Sequence, residues 1–128
     1  MARETILHIG YDSVLTEVRN GVLARGGYSV LTVIGNAHAR EIAHKSNPDL
    51  IVIGSGGDYD ERLRMAEWLQ GNMEGARILA MCTTPEERFP ERVVHFCGDT
   101  PREWLLAVES VLATRPRLER KAHNGASR

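Results

Sequence analysis

Three groups of side chains in this sequence have the types and spacing that chemistry needs. The first is acidic. Asp12, Asp58 and Asp60 carry the hard oxygen ligands that a divalent cation takes, and together they form a candidate displaced cation site. Their competing role is to cap the helices that follow them, which is the commoner use of aspartate at such positions. The second group is the stretch Gly54-Ser55-Gly56-Gly57-Asp58, whose backbone amides, placed at a helix start, could cradle a phosphate. It lacks the G-x-G-x-x-G order and follows the third apolar run instead of the first, so a flexible loop is its plainer reading. The third group is Cys82 and Cys97. They are too few for a disulfide scaffold and have no C-x-x-C metal spacing, which leaves redox pairing or inert burial. His8 and His95 lie inside apolar runs with no carboxylate or cysteine set spaced around them, and are expected to be satisfied core or rim histidines.

The elements that must position these residues follow from the hydrophobic pattern. Short continuous apolar runs alternate with longer segments of helical period, as in a parallel sheet covered on both faces. TILHI at 5–9, SVLTVI at 29–34, LIVIG at 50–54, ILAMC at 78–82 and VVHFC at 93–97 read as five strands, the third of them central. Val14, Leu15, Val18 and Val22 share one face of a first helix that Asp12 or Ser13 caps and Gly26-Gly27 closes. Gly35 and Asn36 give a turn and a cap for a second helix to about Lys45, which Pro48 stops. A third helix runs to about Leu69, bearing Leu63, Met65, Ala66 and Leu69. The segment 83–92, TTPEERFPER, is predicted to be a loop with at most one helical turn. Thr100, Pro101 and Glu103 form a capping box with proline in the first turn. The last helix then lines Trp104, Leu105, Val108, Val111 and Leu112 along one face and ends at Pro116. Trp104 reads as core, and Trp68, beside Glu67, as a partly exposed interface anchor.

A chain of 128 residues, 42% hydrophobic but only 5% aromatic, builds one aliphatic core, expected over residues 1–114. The formal net charge of -1 offers no global attraction to nucleic acid or anionic membrane. Residues 115–128 carry Arg115, Arg117, Arg120, Lys121 and Arg128 against Glu119. This basic tail is expected to be disordered and solvated. It is too short for a helix-turn-helix, so direct transcriptional action is not expected. The amino terminus has acidic Glu4 and only a four-residue apolar run, unlike a signal peptide, and no stretch approaches a membrane span. The expected compartment is the cytoplasm.

Five strands alternating with helices imply right-handed crossovers and an open three-layer sandwich, with reactive groups at the carboxyl ends of the strands. At those ends stand Gly10 to Asp12, Gly54 to Asp58, Cys82 to Thr84 and Cys97 to Asp99. Taken in order and spacing, ILHIGYDS, RGGYSVLTV, NPDLIVIG, ARILAMCT and DTPREWLLAVESVL resemble the receiver domain of two-component response regulators over residues 4–113. The resemblance implies an α/β, flavodoxin-like fold with five parallel strands in the order 2-1-3-4-5. Cys82 and Cys97 would then end neighbouring strands, which makes a redox pair geometrically conceivable. A fourth helix, usual between the fourth and fifth strands, is short or missing here. Its loss erodes the usual output face and could expose the edge near Val93 to Phe96.

Receivers use an aspartate that accepts phosphate, an acidic pair that holds Mg2+, and a hydroxyl and a lysine that grip the phosphoryl group. Carried over by position, the phosphoacceptor falls on Gly54, the acidic pair on Gly10 and Tyr11, the hydroxyl on Thr83 and the lysine on Cys97. Only Thr83 keeps its type. Glycine cannot form an acyl phosphate, and the cation and charge neutralisation that phosphoryl transfer depends on are missing, so Mg2+ is not expected. The resemblance therefore implies a stand-alone, phosphorylation-independent pseudo-receiver without catalysis of its own. It would act by contact with a signalling protein such as a kinase, or with a second copy of itself. The alternatives are a small flavodoxin-like protein that binds nucleotide or phosphate or performs thiol redox chemistry, and a nucleic-acid adaptor working through the basic tail.

Overall fold

The computed structural model describes residues 4–98 and 100–114. Its strands are β1 (Thr5–Gly10), β2 (Ser29–Ile34), β3 (Leu50–Ile53), β4 (Ile78–Met81) and β5 (Val94–Phe96). The helices are α1 (Ser13–Arg25), α2 (Asn36–Ser46), α3 (Tyr59–Asn72) and α4 (Pro101–Leu112). All strand pairs are parallel, in the order β2-β1-β3-β4-β5. This is the doubly wound sheet expected from the sequence, and residues 82–93 between β4 and β5 hold no helix.

The side-chain period of two divides each inner strand between two cores. Leu7, Ile9, Ile51, Ile53 and Ala80 face α2 and α3, where Ala39, Ala43, Met65, Ala66 and Leu69 complete one cluster. Ile6, Leu50, Val52, Leu79 and Met81 face the other side, against Val22 and Leu23 of α1 and Trp104, Val108 and Val111 of α4. Each fully buried Leu or Ile contributes roughly 1.5–3 kcal/mol by leaving water. That explains why β3, all of whose residues are buried, has the most continuous apolar run. The edge strand β2 leaves Leu31 and Ile34 exposed. At the other edge Val94 and His95 are exposed, while Val93 is buried.

Several local expectations are corrected. Of the apolar stripe read on α1, Val14 and Val18 point outward, 72% and 59% exposed, while Leu15 is half-buried and Val22 buried. Beside Val22 the helix buries Thr16 and Leu23. Asp12 caps this helix by accepting from the Leu15 amide at 3.0 Å, and Thr16 lies over Gly10. Gly35, not Asn36, is the cap of α2 and has no side-chain cap bond. Asn36 lies in the helix, accepts from the Tyr11 hydroxyl at 2.7 Å and donates to the Glu61 carbonyl at 2.9 Å. Trp68 is partly exposed, as expected, and packs on α2, edge-on to His44 at 5.2 Å and under Arg40 at 5.6 Å. The capping box at Thr100 and Glu103 is formed on both sides. The basic tail at 115–128, with Pro116, lies outside the described residues, as does Asp99.

Candidate functional site

The carboxyl ends of the strands meet where β1 and β3 adjoin, the place at which open α/β sheets bind ligands. Gly10 ends β1 there. A Cβ at Gly10 would sit 1.9 Å from Thr16 Oγ1, so the Thr16 side chain already fills the space a larger residue would need. The Thr16 hydroxyl is anchored by donation to the Asp12 carbonyl at 2.6 Å. Gly54, just past β3, donates its amide to Ile9 at 2.8 Å. A Cβ on Gly54 would come within 3.0 Å of that same carbonyl and 3.7 Å of His8 Nε2.

The loop after β3 folds down on this edge. Gly56 and Gly57 have φ of 88° and 65°, left-handed values that favour glycine. A Cβ on Gly57 would meet that of Tyr11 at 2.9 Å. The Gly56 amide donates to Thr83 Oγ1 at 3.0 Å, so the Thr83 hydroxyl and one amide of the glycine loop already serve each other. Burial pushes the Tyr11 phenol well above its ordinary value, and the Glu61 carboxylate adds to the effect.

Asp12 and Asp58 cap α1 and α3, accepting from Leu15 and Asp60 amides. All three aspartates are exposed, and among the described residues no group of three metal-ligating side chains converges. Cys82 and Cys97 follow the last residues of the adjacent strands β4 and β5 and carry free thiols, Cys82 half-buried and Cys97 exposed. His95 is an exposed rim residue whose Nε2 accepts from the Phe89 amide at 3.3 Å. His8 departs from the satisfied histidine expected. It is fully buried, and neither ring nitrogen meets a hydrogen-bond partner among the described residues. Burial lowers its pKa to about 4, with the Arg19 guanidinium acting in the same direction and the Asn20 side chain opposing.

The strongest polar feature of this edge is a pair that sequence reading missed. Arg62 of α3 is 1% exposed, and its guanidinium grips Glu87 of the β4–β5 loop through two bonds, of 2.9 and 2.6 Å. Glu87 Oε1 also accepts from the Thr83 amide at 2.8 Å. The hydrogen bond from Arg62 holds the Glu87 carboxyl below its usual range, against the opposing effect of burial. The signal for Arg62 lay in spacing: it precedes Met65, Ala66 and Leu69 by three, four and seven positions, on the buried stripe of α3. Glu87 gave none, because its loop has no period. Arg19 likewise reaches across to Ser55, at 2.7 Å. Beside it a groove of about 220 Å³ opens between α1 and α4.

No protein-family profile and no curated protein sequence matches the chain. Solved structures do. A receiver domain from Methanospirillum hungatei superposes with a TM-score of 0.72 at 13% identity, covering 87% of this chain and 94% of that one. The chain has the receiver fold. The response regulator TrrA of Thermotoga maritima, solved with Mg2+ and beryllofluoride, gives a TM-score of 0.73 at 16% identity over 84% of this chain and 98% of its own. The complex of the histidine kinase ThkA with TrrA gives 0.70 at 17% identity, over 86% of this chain and 99% of that one. Set on the receiver fold, the strand ends of this chain carry Gly10, Gly54, Thr83 and Cys97, with Arg62 and Glu87 locked together beside them.

Proposed function

We propose that this chain is a receiver-like signalling module that acts by protein contact and takes no phosphoryl group. The observation that carries the reading is the packing of Thr16 into the space over Gly10, 1.9 Å from where a side chain would begin. Metal-dependent phosphoryl transfer needs hard carboxylates and a cation at this edge. Here Gly10, Tyr11 and Gly54 hold neither the acidic pair nor the acceptor, and the Thr83 hydroxyl is engaged by Gly56. The module has no catalytic step of its own. Its contact surface is the outward face of α1, where Val14 and Val18 stand exposed. Apolar side chains in a row on a helix suit docking against another helix. The fold likeness to TrrA in complex with the kinase ThkA supports a histidine kinase or a similar helical regulator as the partner class.

The test is an amide NMR titration of the labelled chain with Mg2+ and then beryllofluoride, a phosphoryl mimic, run in parallel on Gly54→Asp. The expected result is no saturable shift at residues 10–12, 54–60 or 83 in either protein. The variant restores a carboxylate but neither the acidic pair nor the lysine. Saturable shifts clustered at those residues in the unaltered chain would establish an acidic site and overturn the reading.

A further inference from the structure

The last ladder pairs of β4 and β5 are Leu79↔Val94, Ala80↔His95 and Met81↔Phe96. One step further, the register places Cys82 opposite Cys97, and the ladder continues to that point because the Cys82 amide donates to the Phe96 carbonyl at 2.9 Å. Paired residues of a parallel ladder project to the same face. Met81 and Phe96 both belong to the cluster under α1 and α4, so Cys82 and Cys97 both project to the opposite side. There Cys82 packs against the cluster under α2 and α3. Neighbouring strands lie about 4.8 Å apart, inside the separation of roughly 4.4–6.8 Å between Cα atoms that a disulfide spans.

We propose that Cys82 and Cys97 form a reactive dithiol site, which a hydroperoxide oxidises to an intramolecular disulfide. Burial, then hydrogen bonding to the Cys97 thiol and the charge that thiol carries when ionised, push Cys82 up to about 12. Cys82 therefore stays protonated at neutral pH, and the exposed Cys97 is the attacking sulfur. Its thiolate attacks one peroxide oxygen; an S–O bond forms, the O–O bond breaks, and the departing hydroxide takes a proton to become water. The Cys82 sulfur then attacks the Cys97 sulfenic acid. The S–S bond forms, the S–O bond breaks, and the Cys82 proton leaves with the hydroxide as a second water. Two thiols lose two electrons, and one hydrogen peroxide becomes two waters. The new bond closes a ring around the loop that carries Thr83 and Glu87, the two residues that bind the glycine loop and Arg62.

The experiment treats the reduced full chain with stoichiometric hydrogen peroxide and follows intact mass and free thiols. Both thiols are expected to vanish together, with a loss of two hydrogens' mass, no covalent dimer, and full recovery in dithiothreitol. Cys82→Ser is expected to hold Cys97 as a sulfenic acid trapped by dimedone, and Cys97→Ser to react at least about tenfold more slowly than the unaltered chain. As a second reading, phenylarsine oxide, which bridges two adjacent thiols, is expected to bind once per chain and to protect both cysteines. Stable oxygen addition to the unaltered chain, covalent dimers, equal rates for Cys97→Ser, or failure of the arsenical to block both thiols would each overturn the proposal.

Discussion

Arg62 and Glu87 show how one pair can set the stability of a whole edge. An arginine 1% exposed leaves water only if its charge is met, and the two bonds to Glu87, with a longer 3.5 Å approach to the Met81 carbonyl, do so. Removing one partner of such a pair strands a buried charge, which typically costs about 3–5 kcal/mol. Glu87→Ala is therefore expected to lower the urea-unfolding free energy by about 3 kcal/mol. The double variant Arg62→Met, Glu87→Ala should recover much of that loss, because no uncompensated charge remains. A double variant as unstable as Glu87→Ala alone would mean that the loop's packing, and not the charge, was lost. The pair was only half legible beforehand. Arg62 sits on the apolar stripe of α3, but nothing in the linear sequence joins it to Glu87, 25 residues away.

At the scale of elements the sequence was most informative where a local bond decides the structure. Thr100 and Glu103 form their reciprocal cap within four residues, and Thr100 accepts from the Glu103 amide at 3.1 Å. Thr100→Ala is expected to destabilise the fold by about 1 kcal/mol in thermal or urea unfolding, while Thr100→Ser stays near the original value. The face of α1 was misread at Val14 and Val18 for the converse reason. Val14, Leu15, Val18 and Val22 have the period of a buried stripe, yet the side turned to the sheet carries Thr16, which fits the empty volume of Gly10. Period alone cannot weigh a steric fit against a neighbouring strand. Asn36 shows the same limit: its residue type suits a cap, but Tyr11 and the Glu61 carbonyl recruit it into the interior.

For the whole molecule, His8 and Glu87 couple the fold to pH in one direction. His8 has an ordinary pKa of 6.5 in the unfolded chain and about 4 in the fold, so between these values the unfolded state binds more protons. Stability is full above about pH 6.5 and falls as the pH drops toward 4, by about 3 kcal/mol from this group. Glu87, held low by Arg62, loses its contribution in the same direction as the pH falls through the carboxylate range. Unfolding free energies measured from pH 7 to 4 are expected to decline, and His8→Leu is expected to remove most of the slope above pH 5. An unchanged slope in that variant would show that His8 is not the group responsible. By itself the sequence determined the strands, the helices, their alternation and the glycines and threonine at the strand ends, because apolar period, caps and turn residues act over a few positions. Only the tertiary structure decided which face of α1 is buried, that Thr16 fills the space over Gly10, that Arg62 meets Glu87, and that Cys82 stands opposite Cys97. Those outcomes depend on strand register and on shapes brought together from distant parts of the chain, which no local pattern encodes.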